Sequence, residues 1–200
     1  MLCEINMKNR FTEIYKNKTW FKGSGSGSSS TNTILYRNFL QDYFTENRIK
    51  SVIDIGCGDW KFSKLINWND IKYLGLDVVD SVISTNKEKY QTDTIKFKCV
   101  DMQNFAPPKA NLVIIKDVLQ HCPNKTIKTF LPKLAGFKHI LITDTCDGEN
   151  INQDILEGQM RPLVLDQKPF NFKVKKFFYY KSYRPIKKIY ETKCISRLYF

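Results

Sequence analysis

The sequence predicts an α/β protein: a doubly wound, mostly parallel sheet of seven strands, closed by a C-terminal antiparallel hairpin. Three observations carry that expectation. From residue 51 to about 145, short apolar runs alternate with helical stretches, and such alternation implies right-handed crossovers and a parallel sheet with helices on both faces. The first run, "SVIDIGCGDWKF" (residues 51–62), ends in glycines, as a strand does where it turns tightly into the next element. After residue 150 the alternation stops. Two long strand-like runs, "PFNFKVKKFFYYKS" and "IKKIYETKCISRLYF", then flank a turn at Tyr183, Arg184 and Pro185, which reads as a hairpin.

The elements follow in order. "FKGSGSGSSSTNT" (residues 21–33) resembles a flexible linker, yet it ends in Ser30, Thr31, Asn32 and Thr33, all good helix N-caps. In "ILYRNFLQDYFTENRI", Ile34, Leu35, Phe39, Leu40 and Phe44 recur at helical spacing. The Gly/Ser stretch is therefore a loop feeding a helix, and not a boundary between domains. Strands are expected at 51–55, 72–76, 95–99, 111–116 and 138–143, and helices at about 60–67, 80–89 and 124–135. Pro123, Asn124 and Thr126 start the last of these helices. One domain over residues 1–200 is expected, with the loop and helix in 1–50, the alternating core in 51–145 and an acceptor loop and hairpin in 146–200.

Composition narrows the class. With 42% apolar and 26% charged residues the balance is that of a globular protein. No stretch approaches a membrane span, and "MLCEINMKNRF" lacks the apolar core of a secretory signal, so a soluble cytoplasmic protein is expected. Cys3, Cys57, Cys99, Cys122, Cys146 and Cys194 are scattered without a C-x-x-C pair, which suits reduced thiols in the core. The net charge of +12 is compatible with a nucleic acid or another anionic partner, but lysines spread along the chain favour a solvated surface.

The glycine turn itself is informative. In an open parallel sheet, ligands sit outside the carboxyl ends of the strands, beside the first strand. A dinucleotide site calls for G-x-G-x-x-G, but after Gly56 and Gly58 the third position is Lys61. Asp54 and Asp59 flank the turn, and carboxylates there repel a pyrophosphate. They suit a ligand that carries positive charge. Asp77 ends the second strand 23 residues after Asp54, where an acid accepts hydrogen bonds from ribose hydroxyls. Asp101 ends the third strand, placed to meet an adenine amino group while Met102 covers the ring. Asp117 ends the fourth. Four carboxylates at four strand ends point to a ligand with adenine, ribose, an ammonium and no phosphate.

Those residues resemble the class I S-adenosylmethionine-dependent methyltransferases. "VIDIGCGDW" is similar to their first motif, "YLGLDV" to the second, "VDMQNF" to the third and "NLVIIKDVLQH" to the fourth. The resemblance covers residues 51 to about 145 and implies a Rossmann-like fold with S-adenosylmethionine as cofactor. It implies cofactor contacts from Asp54, Gly56, Gly58, Trp60, Asp77, Val78, Asp101, Met102, Lys116 and Asp117. The flanking segments are similar to small stand-alone methyltransferases of bacteria and large DNA viruses, many of which accompany glycan biosynthesis. A helix usually follows the fifth strand in the wider fold; here "DGENINQDILEGQMRPL" reads as an irregular loop.

The chemistry expected from these residues is methyl transfer to a hydroxyl. An acceptor hydroxyl must lose a proton, and His121, one turn after Asp117, is the candidate base and acceptor contact. Asp144 is placed to orient it. With Asp117, Asp144 offers only two carboxylates to Mg²⁺, a thin site, and no metal is expected. Arg37 is positioned to pair with the cofactor carboxylate if the Gly/Ser loop folds over it. Arg161 is the expected acceptor contact in the irregular loop, and Lys61 a residue beside the cofactor. The Asn/Asp-Pro-Pro-aromatic motif of base-modifying amino-group methyltransferases is absent, since "KDVL" stands there. The favoured acceptor is a sugar hydroxyl of a glycan or related small molecule. RNA, drawn to the basic, aromatic residues 173–190, is the second choice. A non-catalytic regulatory subunit that binds the same cofactor is a third reading.

Overall fold

The computed structural model of the chain describes residues 7–20, 23–104 and 106–200. Seven strands form one sheet: β1 (Ser51–Ile55), β2 (Lys72–Asp77), β3 (Ile95–Cys99), β4 (Leu112–Lys116), β5 (His139–Thr145), β6 (Lys173–Arg184) and β7 (Ile189–Tyr199). Their order across the sheet is β3-β2-β1-β4-β5-β7-β6. The first five strands pair in parallel, whereas β7 is antiparallel to both β5 and β6. The order reverses at β1, between β2 and β4, and this is the switch point where a ligand crevice opens.

The alternation of β4 shows how the core is divided. Val113 and Ile115 face one layer with Ile53, Ile140, Ile127 and Phe130. Leu112 and Ile114 face the other, with Val52, Leu141, Leu40 and Phe44. Because both faces are covered, the strand reads as a continuous apolar run.

The helices are α1 (Met7–Lys16), α2 (Ile34–Glu46), α3 (Asp80–Tyr90) and α4 (Asn124–Phe130). Four differences from the sequence reading have physical causes. Helix α1 was not expected; it buries Met7, Phe11 and Ile14 at four- and three-residue spacing. Along α2 the buried positions are Tyr36, Leu40, Tyr43 and Phe44, while Ile34 and Leu35 are exposed. The helix expected at 60–67 is instead irregular, with one short 3-10 turn at Ser63–Leu65. Trp60, Phe62, Ile66 and Trp68 are all buried together, a spacing of two, four and two residues that an α-helix cannot place on one face. The expected helix 124–135 tightens to a 3-10 turn over Leu131–Leu134, because Pro132 has no N–H to continue the ladder.

No α-helix or strand forms between Thr145 and Lys173. Cys3 lies outside the described residues, and the five cysteines within them are free thiols. Among the described residues no helix is long and apolar enough to cross a membrane.

Candidate active site

The turn after β1 is held from both sides. The N–H groups of Gly56 and Cys57 donate to the Leu76 carbonyl at 2.8 and 2.9 Å. Asp77, at the end of β2, accepts from Gly58 N–H on one oxygen and from Val79 N–H on the other, each at 3.0 Å. Gly58 has φ +55°, and a Cβ there would stand 2.2 Å from the Ser24 hydroxyl oxygen. The position therefore needs glycine for both conformation and space.

A cleft with about 920 Å³ of open space, including its mouth, lies against this turn. Asp54, Gly56, Gly58, Asp77, Val78, Met102, Lys116, Asp117 and His121 line it. Asp54 is buried and accepts a 2.7 Å hydrogen bond from Tyr73. Burial pushes its carboxyl up to about 7, with the charge of Asp77 adding to the effect against the Tyr73 hydrogen bond and Lys116. An acid of this kind is short of a cation.

Further lining residues come from segments the motif reading did not use. Met7, Phe11 and Tyr15 of α1, together with Trp20, close one wall. The ring of Trp20 sits 4.8 Å from that of His121. The Gly/Ser segment then straps the turn. Ser24 Oγ donates to Asp59 Oδ1 at 2.8 Å and accepts from Asp59 N–H at 3.0 Å, with the Tyr15 hydroxyl 2.8 Å away. Asn32 pairs with the N–H and the carbonyl of Tyr183 at 3.0 and 2.8 Å. Asp59, read in the sequence as repelling phosphate, holds the strap.

Asp117 marks the end of this cleft and lines a second one, also about 920 Å³, between the strap and the tip of the hairpin. Trp20, Ser24, Asp117 and His121 belong to both. Asp117 adopts φ +56°. Its carboxylate takes the ammonium groups of Lys116 and, at 2.6 Å, Lys193. Burial alone would raise its pKa, but those two ammoniums hold it well below the usual carboxylate range. Lys116 also donates to the Gly27 carbonyl of the strap at 3.0 Å. Lys193, fully buried, continues to Glu191 at 2.9 Å and Thr145 at 2.6 Å. Asp117 and Glu191 raise its pKa against the opposing effect of burial.

His121 Nδ1 is 2.9 Å from the Gln159 carbonyl. A carbonyl only accepts, so Nδ1 carries the proton and Nε2 holds the lone pair, 3.3 Å from the Gln120 amide nitrogen. Burial lowers the imidazole pKa to about 4, helped by Lys193 and Arg184 and opposed by the Gln159 contact and Asp117. The ring is neutral at physiological pH.

Several expected site residues stand elsewhere. Trp60 is packed among Tyr73, Tyr90 and Phe97 and lies outside the cleft lining. Asp101 accepts from Gln103 N–H at 2.9 Å and caps a short turn, leaving its neighbours Val100 and Met102 to line the cleft. Arg37 bonds Thr33 and the Ser30 carbonyl, within its own loop and helix. Arg161, expected at the acceptor, is buried and donates to the Leu119 and Cys122 carbonyls and to Asn124 at 2.8 to 3.0 Å. It ties the long loop to the segment after β4. Asp144 accepts from Gln120 N–H at 3.2 Å and does not touch His121, whose orienting partner is Gln159. Burial, with the charge of Asp117, pushes the Asp144 carboxyl up to about 8. Among the described residues no three His, Cys, Asp or Glu gather as a metal site, and the two ammoniums on Asp117 oppose a cation there.

The sheet order, the glycine turn and the carboxylates ending β1 and β2 make a Rossmann-like fold with a ligand crevice at its switch point. Residues 52–137 match the family described as "Methyltransferase domain". "Putative methyltransferase 235L" of Invertebrate iridescent virus 6 is 33% identical over 96 residues, 47% of this chain and 35% of that protein. The chain thus matches about a third of the length of that curated relative. The magnesium protoporphyrin IX methyltransferase of Synechocystis PCC 6803, solved with bound S-adenosylhomocysteine, has a TM-score of 0.64 at 11% identity over 96% of this chain and 99% of its own. The 1,6-didemethyltoxoflavin-N1-methyltransferase of Burkholderia thailandensis has a TM-score of 0.69 at 10% identity over 97% and 88%. The methyltransferase domain of bacterial CtHen1-CN has a TM-score of 0.57 at 14% identity over 82% and 97%. At such identities these structures share the fold.

Proposed function

We propose that the protein transfers the methyl group of S-adenosylmethionine to a hydroxyl of a sugar, on a glycan or a related small molecule. The observation that carries this reading is the pair of carboxylates, Asp54 and Asp77, in one cleft. An ammonium group satisfies the cation-poor Asp54. Asp77, already aligned by two backbone N–H groups, keeps lone pairs for ribose hydroxyls. Val78, Val100 and Met102 offer an apolar bed for the adenine.

When bound, the cofactor supplies an electrophilic methyl group for in-line displacement, in which positioning contributes most. His121 Nε2 is the group that takes the hydroxyl proton. Its weak basicity suffices, because an alcohol oxygen becomes strongly acidic as its new bond to carbon forms. Trp20 covers the imidazole and limits the access of water, and Asp117 holds the boundary between the two clefts.

A nucleic-acid acceptor is favoured by the exposed Tyr179, Lys181 and Tyr183 of β6. Strand alternation, however, sets these side chains opposite Tyr180, Ser182 and Arg184. Of this set, only Arg184 lines the second cleft, so a small or terminal acceptor is the better fit. Calorimetry with S-adenosylmethionine and S-adenosylhomocysteine tests the cofactor; absence of binding to either defeats the reading. A label-transfer screen over sugars, glycans and RNA tests the acceptor. Labelled RNA with a steep salt dependence, and no labelled glycan, reverses the choice.

A further inference from the structure

The second cleft contains a line of alternating charges that leads from the reacting end to the hairpin turn. Lys116 and Lys193 hold Asp117, Lys193 holds Glu191 at 2.9 Å, and Glu191 Oε2 stands 2.7 Å from Arg184 Nε. The inner members are spent on one another. The Lys193 side chain is 1% exposed and has three partners. Arg184 differs: its side chain is 25% exposed, it lines the cleft, and it meets Glu191 through Nε. Its terminal nitrogens donate no hydrogen bond to any described residue.

We infer that the acceptor carries an oxyanion, a phosphate or a carboxylate, and that the terminal nitrogens of Arg184 receive it. This deepens the proposed function and rests on the second cleft being the acceptor's. Four points support the inference. A guanidinium end presents two parallel N–H donors, a fork that matches an oxyanion bidentately. Glu191, fixed by Lys193, restrains the other edge of that guanidinium, so less side-chain entropy remains to be lost on binding. Lys187, exposed on the adjoining turn, lines the same cleft and adds a second cation. Finally, Arg184 and His121 line the same cleft, so anchor and base face one ligand. Trp20 and Ile186, also lining the cleft, supply apolar contact for the remainder of the acceptor.

The test uses the full chain with inorganic phosphate and with acetate as probes, titrated by calorimetry at constant ionic strength, with and without saturating S-adenosylhomocysteine. Wild type is expected to bind at least one anion. Arg184→Gln should weaken that binding at least tenfold, and Arg184→Lys, which keeps the charge and loses the fork, should lose most of it. Lys188→Gln removes the same charge outside the cleft and should change affinity less than twofold. Tighter phosphate binding assigns a phosphorylated acceptor, and tighter acetate binding a carboxylate. If wild type binds neither probe, or if Arg184→Gln and Arg184→Lys bind as wild type does, the inference is overturned. Failure of S-adenosylhomocysteine to bind counts against the cofactor reading instead, since the anion titration without it still reports on Arg184.

Discussion

The two clefts are built in opposite ways. Around the first, the polar groups sit at the ends of neighbouring strands: Asp54 near the end of β1, Asp77 at the end of β2 and Asp117 just after β4. Asp77 is aligned by backbone N–H groups, Asp54 by Tyr73 of the neighbouring strand, and Asp117 by Lys116 and by Lys193 of β7. Around the second, Trp20 and His121 come from distant segments and meet Arg184 and Lys193 of the hairpin, whose strand β7 lies between β5 and β6. The parallel sheet thus places the carboxylates of the first cleft, while the second cleft is assembled from loops and the late hairpin. The first cleft should therefore break residue by residue, and the second should break as a network.

The largest effect expected is at the boundary between them. His121→Ala should lower turnover by about 10²–10⁴, the usual worth of proton transfer by a positioned side chain, while cofactor affinity stays near wild type. Because the imidazole pKa is depressed to about 4, its protonation should inhibit only near pH 4. A turnover profile at saturating cofactor that is flat from pH 5.5 to 8 supports the assignment, and a limb near the ordinary histidine pKa contradicts it.

Next comes Asp77→Ala. Losing a charged acceptor for ribose hydroxyls should cost about 1.5–3 kcal/mol of cofactor binding. Asp77→Asn preserves the shape and should cost less. Equal calorimetric affinities for wild type and both variants would sink the role given to Asp77.

How much of this was legible follows from the same contrast. The strand-end carboxylates were readable because a strand's period and its glycine turn fix where the chain emerges. Helix α1 is hard to read from the sequence although Met7, Phe11 and Ile14 give the spacing of an amphipathic turn, because the ten-residue run is short and mostly polar. Trp60 and Arg161 were misplaced for a different reason. Nothing local distinguishes a Trp that joins an aromatic cluster, or an Arg that bonds three loop oxygens, from one that faces a ligand. Lys193 and Arg184 had no signal beyond alternating charge along the hairpin, and their meaning depends on which strands β7 separates.

The third prediction uses Asp54. Its pKa is raised to about 7 in the empty cleft, so pairing with an ammonium must displace a proton whenever the pH lies below that value. Affinity for S-adenosylmethionine should therefore rise by up to about tenfold per pH unit toward 7 and level off above it. For stability the sign is the reverse. A carboxyl with a raised folded pKa contributes stability that is lost as pH rises through about 7, so the empty protein should melt lower at pH 8 than at pH 6. Asp144, pushed up to about 8, adds to the same loss. Asp54→Asn should flatten the pH dependence of binding, whereas Asp144→Asn should alter only the melting. Calorimetry in two buffers of different ionisation enthalpy counts the released proton directly.

The smallest effect expected concerns the strap, which joins the two clefts. Ser24 Oγ both donates to and accepts from Asp59, and one part-buried hydroxyl of this kind is worth about 1 kcal/mol. The loss in Ser24→Ala falls on local opening, because α1 and the sheet bury their own apolar surface without it. Where opening is fast relative to cleavage, proteolysis tracks the open population, and about 1 kcal/mol corresponds to roughly a fivefold change. The variant should therefore be cut within residues 23–30 about five times faster than wild type when empty. S-adenosylhomocysteine should slow cleavage in both proteins, since the strap's Ser24 and Ser28 line the cofactor cleft. Asn32 pairs with Tyr183 at the far end of the strap, so Asn32→Ala should open the acceptor side while leaving cofactor protection in place. If Ser24→Ala is cut no faster than wild type, the strap is held by its backbone alone, and the two clefts are not coupled through it.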